Sequence, residues 1–102
     1  MVALDRARVL AEAARQRRRD LVAAIATGDV TPAGIADDER AADVKVVVLT
    51  EVVPGVGKVR ARRIMSDLGV TGAARWGDLT PEQVSRLVDA LTTAGAPPTT
   101  AP

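Results

Sequence analysis

Gly55 and Gly57, set one residue apart behind Pro54 and directly ahead of a basic segment, constrain the fold of this chain more than any other feature. Glycine reaches positive φ without steric cost and leaves no Cβ in the way of a second backbone. Pro54-Gly55-Val56-Gly57 therefore reads as a tight turn between two helices. Lys58-Val59-Arg60-Ala61-Arg62-Arg63 then opens the second helix. The first amides of a helix have no internal partner and carry the positive end of its dipole, so an anion is well served there. The amides of Gly55, Val56, Gly57, Lys58 and Val59 are expected to cradle one phosphate, with Lys58, Arg60, Arg62 and Arg63 securing its neighbours.

The rest of the chain limits what can surround that turn. With 102 residues and 47% hydrophobic content there is material for one modest core. One Trp and no Phe or Tyr make that core a matter of Ala, Val and Leu on closely approaching helices. The chain has no Cys and no His, which excludes disulfides, thiolate nucleophiles, imidazole acid/base work and the usual zinc sites. No enzyme activity, metal or other cofactor, or small-molecule substrate is expected. Asp37, Asp38, Glu39 and Asp43 lack the glycine and the terminal bidentate glutamate of a calcium loop. No apolar run approaches the ~20 residues of a membrane span, and Asp5, Arg6 and Arg8 break any leader-like start, so a cytoplasmic location is expected.

An all-α fold is expected along the chain. Residues 1–28 read as one long helix ending at Gly28, with Leu4, Ala7, Ala11, Ala14, Leu21 and Ile25 at helical spacing and Arg18 interrupting the stripe. Continuous from Leu4 to Ile25, it would span about 33 Å at about 1.5 Å per residue. Arg17, Arg18 and Arg19 point around more than half its circumference, so its middle must face solvent or a polyanion. Residues 29–43 form an acidic linker in which Thr31-Pro32 can start a short helix. In residues 44–93, Val44 to Val53 has the β-branched content of a strand. No second run of that kind exists to pair with it, so a helix burying Val44, Val48, Leu49 and Val52 is expected instead. Ala61, Ile64, Met65 and Leu68 form the apolar stripe of the following helix, with Gly69 as its terminator. Thr80-Pro81-Glu82-Gln83 has the features of a helix start with a capping box, and Val84, Leu87, Val88 and Leu91 supply the buried face beyond it. Trp76 is expected to fill a gap between helices rather than to insert into a nucleic acid. Residues 94–102 are Pro/Thr-rich and expected to be a disordered tail.

The net charge of +1 conceals four blocks. Residues 1–19 carry +4, residues 20–43 carry −5, residues 44–75 carry +4 and residues 76–102 carry −2. Two basic surfaces separated by acidic ones are implied. The second is the turn helix; the first is the cluster Arg15, Arg17, Arg18 and Arg19, expected to meet phosphates further along a polyanion.

Val53-Pro54-Gly55-Val56-Gly57-Lys58-Val59-Arg60-Ala61-Arg62-Arg63-Ile64-Met65 with Leu68-Gly69-Val70 resembles the core of the actinobacterial integration host factors. The likeness extends loosely over residues 3–91, through the long first helix and the helix around Gln83 to Leu87. It implies a small all-helical, nucleoid-associated protein with a helix-two-turns-helix (helix-hairpin-helix-like) module. Such proteins bind double-stranded DNA with little sequence preference and bend or constrain it. Where the family has an arginine-rich segment used on DNA, Ala74-Arg75-Trp76-Gly77-Asp78 keeps only Arg75 and adds an acid, and Asp43-Val44-Lys45 loses basic charge as well. These departures from the family pattern imply a divergent paralogue or a phage-encoded relative. Arg75 is carried over as a contact, on a second surface that is weakened. A monomer in the absence of DNA is expected.

Two other functions remain open to the sequence. A small-subunit ribosomal protein has a similar Gly-Val-Gly-basic turn against structured RNA, although it ends in a basic extension and this chain does not. A protein-interaction adaptor would instead offer the acidic 29–43 segment to a basic partner.

Overall fold

In a computed structural model, which describes residues 2–95 and side chains from residue 5 onward, the chain is all helical. Its elements are α1 (Val2–Ala26), α2 (Pro32–Ala36), α3 (Val46–Glu51), α4 (Gly57–Asp67) and α5 (Pro81–Gly95), with 3-10 turns at Glu39–Ala41 and Trp76–Asp78. No strand occurs among the described residues, and no described helix is long and apolar enough to cross a membrane. The side chain of Leu4 and the tail from residue 96 lie outside the described residues. The helix reaches two residues into the stretch assigned to that tail, since Ala94 and Gly95 still belong to α5.

Local chemistry sets the helix ends. Thr31 caps α2 by accepting from the Gly34 amide at 3.2 Å, with Pro32 in the first position. Thr80 and Gln83 close a reciprocal capping box on α5: the Gln83 amide donates to Thr80 Oγ1 at 3.1 Å, and the Thr80 amide to Gln83 Oε1 at 2.9 Å. At the far end of α4 the Val70 amide reaches Met65 O at 2.8 Å and the Gly69 amide Ser66 O at 3.1 Å. This double bond is the Schellman pattern expected of a glycine terminator.

The valine run shows how its residues were divided. Lys45 is extended and forms an antiparallel bridge with Arg75. The Val46 amide donates to Ala74 O at 2.8 Å and the Trp76 amide to Val44 O at 2.9 Å. Only Val46 to Glu51 then coils into α3. The buried face is therefore Val44, Val46, Leu49, Thr50 and Val53, while Val48 and Val52, expected inside, are half-buried. The bridge rotates the start of the helix, and the expected face shifts with it.

One core lies under α3, α4 and α5, built from Leu49, Ala61, Met65, Leu87 and Leu91 and completed by Ile35 and Trp76. Trp76 is 5% exposed and packs as a core residue. Of α1, only Leu21 and Ile25 enter this core. Every residue from 5 to 20 is exposed, so Ala7, Ala11 and Ala14 bury nothing. The outer part of the helix projects as a rod, giving the molecule extents of 64 × 28 × 22 Å.

Candidate nucleic-acid interface

The turn between α3 and α4 is built by two glycines with different tasks. Gly55 has φ +83, and a Cβ there would lie 3.2 Å from Gly95 O and 3.3 Å from Gly95 Cα. Reciprocally, a Cβ on Gly95 would come within 2.9 Å of Pro54 O. The turn and the end of α5 thus touch backbone to backbone, which only a pair without side chains permits. Gly57 has φ +74 with nothing within 4 Å of its Cβ position. It reverses the chain into α4 and leaves open space beside its amide.

Val56 ties the turn down from within. Its side chain is 6% exposed in the core and its amide donates to Val53 O at 3.1 Å. That amide is consumed by the turn, so Val56 supplies an anchor and not the phosphate donor expected of it. The Gly57, Lys58 and Val59 amides have no partner among the described residues, and α4 has no side-chain cap. They stand at the positive end of an 11-residue helix.

The cations of α4 divide by direction. Lys58, Arg62 and Arg63 are exposed, and none has an acidic partner within salt-bridge distance among the described residues. Arg60 points back across the turn, donating from Nη1 to Gly55 O at 3.2 Å and to Ala94 O at 3.1 Å. It ties the turn to α5 and covers that helix's negative terminal carbonyls beside the free amides. Sequence reasoning assigned Arg60 to a phosphate; these two bonds make it a brace as well. Val59, chosen for its amide, also presents a side chain 76% exposed between the arginines.

Arg75 is exposed, and the bridge sets it opposite Lys45, also exposed. Like charges directly opposite one another are unfavourable without a counter-ion. Lys45 was not singled out in the sequence. Only the pairing of two segments about thirty residues apart brings it to Arg75, and the spacing of residues carries no signal of that.

Arg15, Arg17, Arg18 and Arg19 are all exposed on α1. Arg19 donates to Gln16 Oε1 at 2.8 Å, and Gln16 in turn to Asp20 at 2.7 Å. Arg15, Arg17 and Arg18 border a groove of about 140 Å³ shared with Glu39 and Asp43. This cluster therefore sits partly over the acidic linker. Asp38 is held below its ordinary carboxylate range chiefly by its hydrogen bonds with Arg40, and the charge of Arg17 adds to that lowering. The Asp38–Arg40 pair closes at 2.7 Å.

The S13-like H2TH domain family matches residues 14–91, opening in the middle of α1 and running to the buried Leu91. The solved structure of sIHF bound to an 8-bp palindromic DNA is similar to this chain, with 31% identity, a TM-score of 0.69, and coverage of 76% of this chain and 91% of that one. Comparison with curated proteins gave no match.

Proposed function

The chain belongs to the S13-like H2TH domain family, and from that premise we propose that it is a nucleoid-associated protein binding duplex DNA by the phosphate backbone. The observation that carries this reading is the open, positive-φ Gly57 turn with three unpartnered amides beneath the uncompensated Lys58, Arg62 and Arg63. Amides fix one phosphate by geometry while the long cations follow the strand to either side, so register is set without any base being read. The likeness to sIHF, a protein solved on DNA, supports the same partner. No catalytic role is assigned: the two lysines have no histidine or cysteine beside them to share acid/base work.

Lys45 with Arg75, and Arg15 with Arg17, Arg18 and Arg19, provide two further sets of phosphate contacts. Duplex engaging the turn and either set bends where the surfaces are not collinear, at a cost of a few kcal/mol offset by the added contacts. The actinobacterial type of the resemblance belongs to this proposal as well.

The test is a titration of duplex DNA, single-stranded DNA and structured RNA at several salt concentrations. Duplex affinity should fall steeply with salt, and neutralising Arg62 and Arg63 together should lower the logarithmic slope by roughly two, about one per lost phosphate contact. Affinity indifferent to salt would remove the backbone mechanism. A clear preference for structured RNA would transfer the same turn to the ribosomal-type reading.

A further inference from the structure

The charge blocks of the sequence acquire a spatial meaning that DNA binding leaves unused. The two acidic blocks converge on one face, where α2 and its following 3-10 turn pack against α5 around a groove of about 620 Å³. Ala33, Ala36, Val84 and Val88 give this groove an apolar lining. Asp37 and Glu39 stand on one side and Asp89 on the other, all exposed and without salt-bridge partners among the described residues.

The projecting end of α1 has the opposite character. Of three large hydrophobic side chains exposed among the described residues, Val9 and Leu10 are adjacent on it, each 63% exposed. Arg6, Leu10, Ala13 and Arg17 follow one another at spacings of four, three and four, and Val9 lies three after Arg6 and four before Ala13, so the five share a helix face, with Asp5 and Glu12 displaced to its flank. This face is a short apolar stripe with an arginine at each end. The groove is a short apolar floor with carboxylates at its sides. The family match begins only at Ala14, so most of this stripe lies outside the matched domain.

We propose that the projecting end of α1 docks into the acidic groove of a second copy of this chain. The helix is continuous from Val2 to Ala26 and anchored at Leu21 and Ile25, with residues 5–20 exposed, so its free end is carried away from its own body and the contact forms between molecules. Because tip and groove are different surfaces, the contact is heterologous and propagates as an open head-to-tail chain. Dilute protein stays monomeric. Neighbouring copies on one duplex are held at high local concentration, and there the contact gives cooperative coating.

The experiment uses no DNA, so its outcome is separate from that of the DNA-binding proposal. Sedimentation equilibrium from about 10 μM to about 1 mM, the range that resolves weak association, should show the average mass rising from 10.6 kDa beyond the dimer value. A tip variant, Val9→Glu with Leu10→Glu, and a groove variant, Asp37→Lys with Asp89→Lys, should each stay monomeric while retaining wild-type helicity by circular dichroism. Mixed in equal amounts, they should form a 1:1 dimer that grows no further, because each supplies the surface the other lacks. Wild type remaining at monomer mass throughout, or a mixture showing no dimer, overturns the proposal. Association lost in the tip variant but kept in the groove variant would also overturn it, by pointing to symmetric pairing of two α1 helices.

Discussion

The α3–α4 turn and the outer half of α1 both carry several cations, yet the structure treats them in opposite ways. Around the turn, every backbone direction is fixed by a neighbour: Val56 is buried, Gly55 rests on Gly95, and Arg60 bonds Gly55 O and Ala94 O. Along residues 5–20 of α1 every residue is exposed: Arg15, Arg17 and Arg18 border the open groove beside the acidic linker, and Arg19 bonds Gln16 of its own helix. A phosphate bound at the turn meets donors already in place, whereas one bound on α1 must order side chains at about 0.5–1.5 kcal/mol each. Similar charge thus produces a positioned site in one region and a diffuse electrostatic surface in the other.

The comparison breaks most directly at the anchor of α1. Leu21→Ala should cost about 2–5 kcal/mol of stability in chemical denaturation, while Leu10→Ala, eleven residues toward the free end, should change it by no more than about 0.5 kcal/mol. Equal effects at both positions would mean that the outer half packs against something after all.

A second test separates the two glycines. Gly55→Val combines strain at positive φ with a clash against Gly95 and should destabilise by roughly 2–4 kcal/mol. Gly57→Val meets open space, so only the strain of about 1–3 kcal/mol applies, and its larger consequence should be an affinity for duplex DNA at least about tenfold weaker with every charge retained. A folded Gly57→Val protein of undiminished affinity would show that the arginines suffice without the amides.

The smallest expected effect concerns the acidic linker beneath α1. Asp38 has its pKa lowered in the folded state, so its pairing with Arg40 stabilises above the unfolded carboxylate value of about 3.9 and is lost as pH falls through the lower folded value. Asp38→Asn should therefore cost about 0.5 kcal/mol near pH 7, the scale of an accessible pair, and nothing in strong acid. A difference from wild type that persists at pH 2 would assign the effect to packing or to the cap on the Arg40 amide.

Much of this architecture was legible because it is local. Thr80 to Gln83, Gly69, Thr31-Pro32 and Gly28 punctuate helices through bonds to residues three to six positions away, and a sequence displays such neighbours directly. The site was legible to the same depth: the glycines and the cations after them could be named. What escaped were pairings across the chain. Arg60 bonds Ala94 over 34 residues, Lys45 faces Arg75, and the valine run yields its first two residues to that bridge before coiling.

The sequence by itself determined the helix ends marked at Gly28, Thr31, Gly69 and Thr80, that the core is made of small aliphatic residues, and that charge alternates in blocks, since all three follow from side-chain chemistry and near-neighbour geometry. Tertiary structure alone decided which amides of the turn stay free, which arginine becomes a brace, and that both acidic blocks close around a single groove. Those outcomes depend on contacts between distant segments, and a contact of that kind exists only once the core has fixed the helices against one another.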